Sequence, residues 1–215
     1  MSNRCGGPLL AIVSLACCMA LPAAAHSQTA ATPADAANHL VAAIAKGDIA
    51  GAAAFAATAD RDRFMALMQA SDRLAKARGR FRETVSAKLP ANEAVASLTA
   101  RASATVDHVV VVAQRTIDAN AADIDVKGFD ADGGPPTAIS TWHAVRENGQ
   151  WRIQLPACVS AAASAPLMKR YGDMVAATEA VTASVTSGDI TDTADANIAL
   201  FKAERGVLRA TGARQ

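Results

Sequence analysis

Few side chains in this sequence are spaced to do chemistry. There are four histidines, His26, His39, His108 and His143. No two share the i, i+2 or i, i+4 spacing that sets metal ligands on one strand face or helix turn. His108 and His143 fall in stretches that read as strands and could meet, with Asp107 or Asp125 as a third ligand. That is too little to assign a metal, and no cofactor is assigned. Asp123 and Asp125 point to one strand face, and paired carboxylates can divide acid and base work. Ile124 and Val126 supply the buried face of that strand, so both acids are expected to face water. Asp130-Ala131-Asp132-Gly133 has part of a calcium loop, but Gly128 and Ile139 stand where its first acid and closing glutamate belong. The chain lacks a G-x-S-x-G elbow and both glycine-rich nucleotide fingerprints.

Composition narrows the class. The 215 residues suffice for one ordinary domain. Hydrophobic residues make up 51%, but alanine is about a quarter of the chain and aromatics only 4%, so large core residues are scarce. A formal charge of +1 creates no global field for nucleic acid. From Arg61 to Lys88, however, eight basic residues face three acids. A solvated helix face is the plain account. The others are an acidic partner, anionic lipid, or neutralisation by the acids of Asp107 to Asp132, within the fold or across a homodimer.

Residues 1–27 read as a signal peptide. Arg4 precedes an uncharged run from Leu9 to Leu21, too short to span a bilayer, and Pro22 with Ala23-Ala24-Ala25 follows. Cleavage is expected after Ala25 or Ser27, giving a periplasmic or secreted product with no transmembrane segment. Neither Ser14-Leu15-Ala16-Cys17 nor Leu15-Ala16-Cys17-Cys18 makes a proper lipobox, so a lipoprotein is the lesser alternative. Cys5, Cys17 and Cys18 leave with the signal. Cys158 then has no disulfide partner and reads as a small buried apolar residue.

The rest, 28–209, reads as a single α+β domain with helices over 32–102, a sheet over 103–156 and helices over 165–208; 210–215 form a disordered tail. Thr32-Pro33-Ala34-Asp35 opens a first helix, Gly47 stops it and Asp48 caps a second. A third runs from Asp60 to about Ala87, with Phe64, Leu67, Met68, Leu74, Phe81 and Val85 on one face and Arg78 intruding. Residues 92–102 suggest a short helix leading into a strand. Strands are expected over Thr105–Gln114 and Ala122–Phe129, and a hairpin turns at Asn148-Gly149. That turn pairs Glu147 with Gln150, Arg146 with Trp151, Ala144 with Ile153 and Trp142 with Leu155. Trp142, Ala144, Trp151, Ile153 and Leu155 should therefore pack on the third helix through Phe64, Leu67, Met68 and Leu74. Val110 and Val112 belong to the other sheet face, which the Leu167–Val185 helix should cover unless it lines an apolar cavity.

The order of elements, with the Lys46-Gly47-Asp48 helix end and the Glu147-Asn148-Gly149-Gln150-Trp151-Arg152-Ile153 hairpin, resembles the NTF2-like (cystatin-like, cone-shaped) α+β superfamily over about 32–156. The short strand that the resemblance implies before the third helix is not visible in the sequence, and the two C-terminal helices are extra. The resemblance implies N-terminal helices packed on a curved antiparallel sheet of about four strands, with a pocket that relatives use for different purposes. Its enzymes often place an Asp with a Tyr or His there. His143, opposite Gln154 and diagonal to Arg152, is then the better candidate, and Tyr171 is the sole tyrosine but sits at core spacing on a helix. The reading that follows is a non-enzymatic binding or structural protein of the cell envelope, with a small apolar ligand or an envelope protein as partner. The alternative is an NTF2-like pocket enzyme acting on a small apolar molecule.

Overall fold

The first helix, α1 (Pro33–Ala45), begins where its sequence demands. Thr32 accepts the Asp35 N–H at 3.1 Å while the Asp35 carboxylate accepts the Thr32 N–H at 3.0 Å, a reciprocal capping box with Pro33 in the first turn. Gly47 ends it at φ +72°, and Asp48 caps α2 (Ile49–Ala54) by accepting the Gly51 N–H at 2.8 Å. A 3₁₀ turn, Thr58–Asp60, leads into α3 (Arg61–Lys88). These coordinates are a computed structural model describing residues 30–90, 106–130, 137–156 and 159–212. Cys158, the expected helix at 92–102 and most of the Asp130–Gly133 turn fall outside them.

The described residues divide into two compact units. One comprises 30–69 with the described residues of 106–164, and the other comprises 70–90 with 165–212. The helix α3 contributes its first turns to one and its remainder to the other.

The first unit is the α+β part. Its strands β1 (Val106–Asp118), β2 (Ala121–Asp130), β3 (Ser140–Glu147) and β4 (Gln150–Gln154) form an antiparallel meander in chain order. The hairpin at Asn148-Gly149 has the expected register, Glu147 against Gln150 and Ala144 against Ile153, with both turn residues at positive φ (52° and 80°). Leu155 lies beyond β4, and its N–H donates to the buried carboxylate of Asp60 at 2.9 Å. Trp142, Ala144, Ile124, Val126 and Ile153 are buried on one sheet face. The helix in contact with all four strands is α1, through a face that buries Leu40, Val41 and Ile44. Phe64, Leu67 and Met68 at the start of α3 are buried in the same unit, whereas Leu74 belongs to the other.

Two local features depart from the sequence reading. The first is a strand-like step before α3. The Ala57 N–H donates to the Ile153 carbonyl and the Ile153 N–H to the Phe55 carbonyl, both at 2.8 Å, making Ala56 a parallel bridge on the β4 edge. One bridged residue leaves no alternating pattern to read. The second concerns the far sheet face. Val110 and Val112 on it are 43% and 46% exposed, where covered side chains are expected.

The Leu167–Val185 helix buries its stripe in the second unit. There α3 joins α4 (Ala161–Ser187) and α5 (Thr193–Gly212) around Phe81, Val85, Val181, Val185 and Ala196. α4 starts a turn earlier than expected, with Pro166 inside it at the cost of one backbone hydrogen bond. α5 extends through Gly212, past the expected start of the tail. Arg78, the cation intruding on the apolar face of α3, donates to both carboxylate oxygens of Glu204 at 2.8 Å. Arg80 pairs with Glu179 at 2.8 Å and Lys76 with Asp72 at 2.9 Å, so α3 takes these counter-charges from its own unit.

Candidate functional site

Strand pairing aligns one polar row across the whole sheet. Arg115 on β1 stands opposite Asp123 on β2, Asp123 opposite His143 on β3, and His143 opposite Gln154 on β4. Directly opposed residues share a face, so these four side chains stand on the face away from Ile124 and Trp142. The sequence dictates this alternation: along β2, Ala122, Ile124 and Val126 are buried and Asp123 and Asp125 are not.

Within the row the groups satisfy one another. His143 Nδ1 lies 2.8 Å from Asp123 Oδ1, and Arg115 donates to Asp123 Oδ2. The hydrogen bond with His143, followed by that with Arg115, holds the Asp123 carboxyl below its ordinary range. Asp125, one row along, accepts from the Thr141 hydroxyl at 2.6 Å. The side chain of His143 is 37% exposed. Nδ1 is engaged, so Nε2 is the ring nitrogen left for an outside group.

Of the candidate residues, His143 and Arg152 stand on one sheet face at diagonal positions, opposite Gln154 and Val145. Arg152 has its Nε 3.3 Å from Glu147 Oε2. Glu147 in turn accepts the Thr58 N–H at 3.1 Å and the Thr58 hydroxyl at 2.6 Å, so this pair braces the entrance to α3. Tyr171 is buried on α4 in the second unit, as its helical spacing expects. His108 pairs across from Phe129 and stacks on it with ring centres 5.4 Å apart. Among the described residues no three His, Cys, Asp or Glu side chains gather as metal ligands.

Arg115 lies just beyond Gln114, the expected end of the first strand, because β1 runs on to Asp118. Ala119-Asn120 makes a two-residue turn in which Asp118 accepts the Asn120 N–H at 2.7 Å, but counting back from it gives Arg115 opposite Ile124. A register shift between Thr116 and Asp118 moves Arg115 opposite Asp123 instead, and nothing in the local sequence announces that shift. The contact of Glu147 with Thr58 has no local signal either, since 89 positions separate them.

No protein-family model, curated protein or solved structure matches the chain.

Proposed function

We propose that this is an exported, non-enzymatic binding or structural protein of the cell envelope whose interaction surface is the open face of its sheet. The observation that carries the reading is that the Arg115–Asp123–His143 row satisfies itself on the same sheet that exposes Val110 and Val112. Mixed polar and apolar side chains on an accessible surface suit recognition of a protein partner. Export rests on the Leu9–Leu21 run and the Ala23-Ala24-Ala25 site after it. An NTF2-like architecture is supported by two helices, the bridge at Ala56, a long helix and an antiparallel meander, in that order.

The enzyme alternative has one specific support, the His143–Asp123 hydrogen bond, which orients an imidazole as a base would be oriented. Against it, Arg152 turns to Glu147 instead of joining the pair.

Photo-crosslinking in the exporting cell separates the readings. A photoreactive residue at Val112 should give a defined adduct, and one at exposed Ala176 should not. His143→Ala should leave the adduct intact, and Val110→Asp should abolish it. Absence of an adduct at Val112 in properly exported protein overturns the proposal. Mass spectrometry of the exported chain should find an N-terminus at His26 or Gln28; an intact Met1 or a diacylated Cys18 removes the soluble-export part.

A further inference from the structure

α5 has two apolar faces. Ala196, Ala199, Leu200 and Ala203 turn into the core of the helical unit against Phe81, Val85, Val181 and Val185. Ile198, Phe201 and Leu208 lie roughly opposite at 3.6 residues per turn, and they are 48%, 62% and 46% exposed. With Arg205 they recur at i, i+3, i+7 and i+10, which makes one continuous outer stripe.

Charge is distributed unevenly along this stripe. Lys202, Arg205 and Arg209 are all exposed and gather around its second half, where the Arg205 guanidinium lies 5.7 Å from the Phe201 ring centre. Glu204 does not offset them, because Arg78 holds it at the side of the helix. Asp195 is exposed but stands two turns away, near the helix start.

We propose that the outer face of α5 docks on an anionic lipid surface. A helix lying in the plane of a bilayer interface needs large apolar side chains on one strip and long cationic side chains beside it. The apolar residues enter the boundary between headgroups and acyl chains. Lys202, Arg205 and Arg209 have stems long enough to keep their charges at the phosphates meanwhile. A second copy of this chain fits the stripe less well. Antiparallel pairing through it would bring Lys202 against its own copy, and parallel pairing would oppose Arg205 to Arg205.

The test uses the exported, processed protein, with its N-terminus read by mass spectrometry. Flotation compares vesicles of phosphatidylcholine alone with vesicles of phosphatidylcholine and phosphatidylglycerol. Binding is expected on the anionic vesicles, weak on the neutral ones, and falling as salt rises. Lys202→Gln and Arg209→Gln should each weaken it about fivefold. Phe201→Ser should weaken it about tenfold, while Arg82→Gln, an exposed cation on α3, should change it less than about twofold. These positions are exposed, so circular dichroism and the thermal midpoint should match the parent. Phe201→Trp should blue-shift its emission on the anionic vesicles. Equal binding to both vesicles, or anionic binding unchanged by Phe201→Ser and Lys202→Gln, overturns the proposal. So does a protein that ignores both vesicles yet forms a dimer, or binds an acidic protein, through Phe201.

Discussion

His143 Nδ1 and Asp123 Oδ1 stand 2.8 Å apart at directly opposed positions of β3 and β2. Arg115 reaches the other oxygen of the same carboxylate from the opposite side, so Asp123 is clamped between two strands. The contact therefore ties β1, β2 and β3 together on the face away from Ile124 and Trp142.

The carboxylate sets an acid limit. The pKa of Asp123 is lowered from 3.8 in the folded chain. A depressed folded value means stabilisation that is full above the unfolded value and lost as pH falls through the lower folded one. Asp123→Asn should thus lower stability above pH 3.8 and flatten the acid branch of the profile below it. An exposed pair of this kind contributes about 1 kcal/mol or less. Urea midpoints against pH check this, and parallel profiles for the two proteins would refute it.

The two sheet faces should respond oppositely to truncation. Ile124→Ala removes a side chain with 0% exposure and should cost about 2–5 kcal/mol. Val112→Thr changes one that is 46% exposed and should stay within about 0.5 kcal/mol. Chemical denaturation of both variants decides it. A large loss from Val112→Thr would mean that the outer face is covered after all.

The hairpin turn permits a narrower test. Gly149 has φ +80° and open space where a Cβ would stand, so Gly149→Ala meets backbone strain alone. A loss of about 1–2 kcal/mol is expected, readable as a lower thermal midpoint with the strand register unchanged by NMR. A neutral substitution would indicate that the turn is not of the left-handed type.

What was legible follows from range. The cap at Thr32, the stop at Gly47 and the hairpin at Asn148-Gly149 are all written within four or five residues. Each stands as read. Alternation along β2 likewise separated Ile124 and Val126 from Asp123 and Asp125. Partners far away along the chain are not written locally. An apolar stripe such as that of α4 requires a counterpart, and nothing local says that Phe81 and Val85 of α3 provide it. Arg78 looked like an intrusion for the same reason, its Glu204 lying 126 positions away. The polar row was half legible: Asp123 and His143 were singled out separately, but their register depends on the loop between β2 and β3, which no turn motif dictates.

The long-range brace at Glu147 can be weighed by a thermodynamic cycle. Thr58 opens the 3₁₀ turn ahead of α3, and its N–H and hydroxyl both donate to the Glu147 carboxylate. A carboxylate at such an entrance meets orphan N–H groups and the positive end of the helix dipole, so it caps the helix from outside. Glu147→Ala should cost about 1–2 kcal/mol. It should exceed the loss from Glu147→Gln, which keeps an acceptor and gives up only the charge. Part of the cost falls on Arg152, whose side chain is 17% exposed and whose Nε lies 3.3 Å from that carboxylate. Thr58→Val removes the hydroxyl, and combined with Glu147→Ala it should cost less than the two single losses added together. A shortfall of about 0.5 kcal/mol or more measures the coupling; strict additivity would mean that the two residues do not meet in solution.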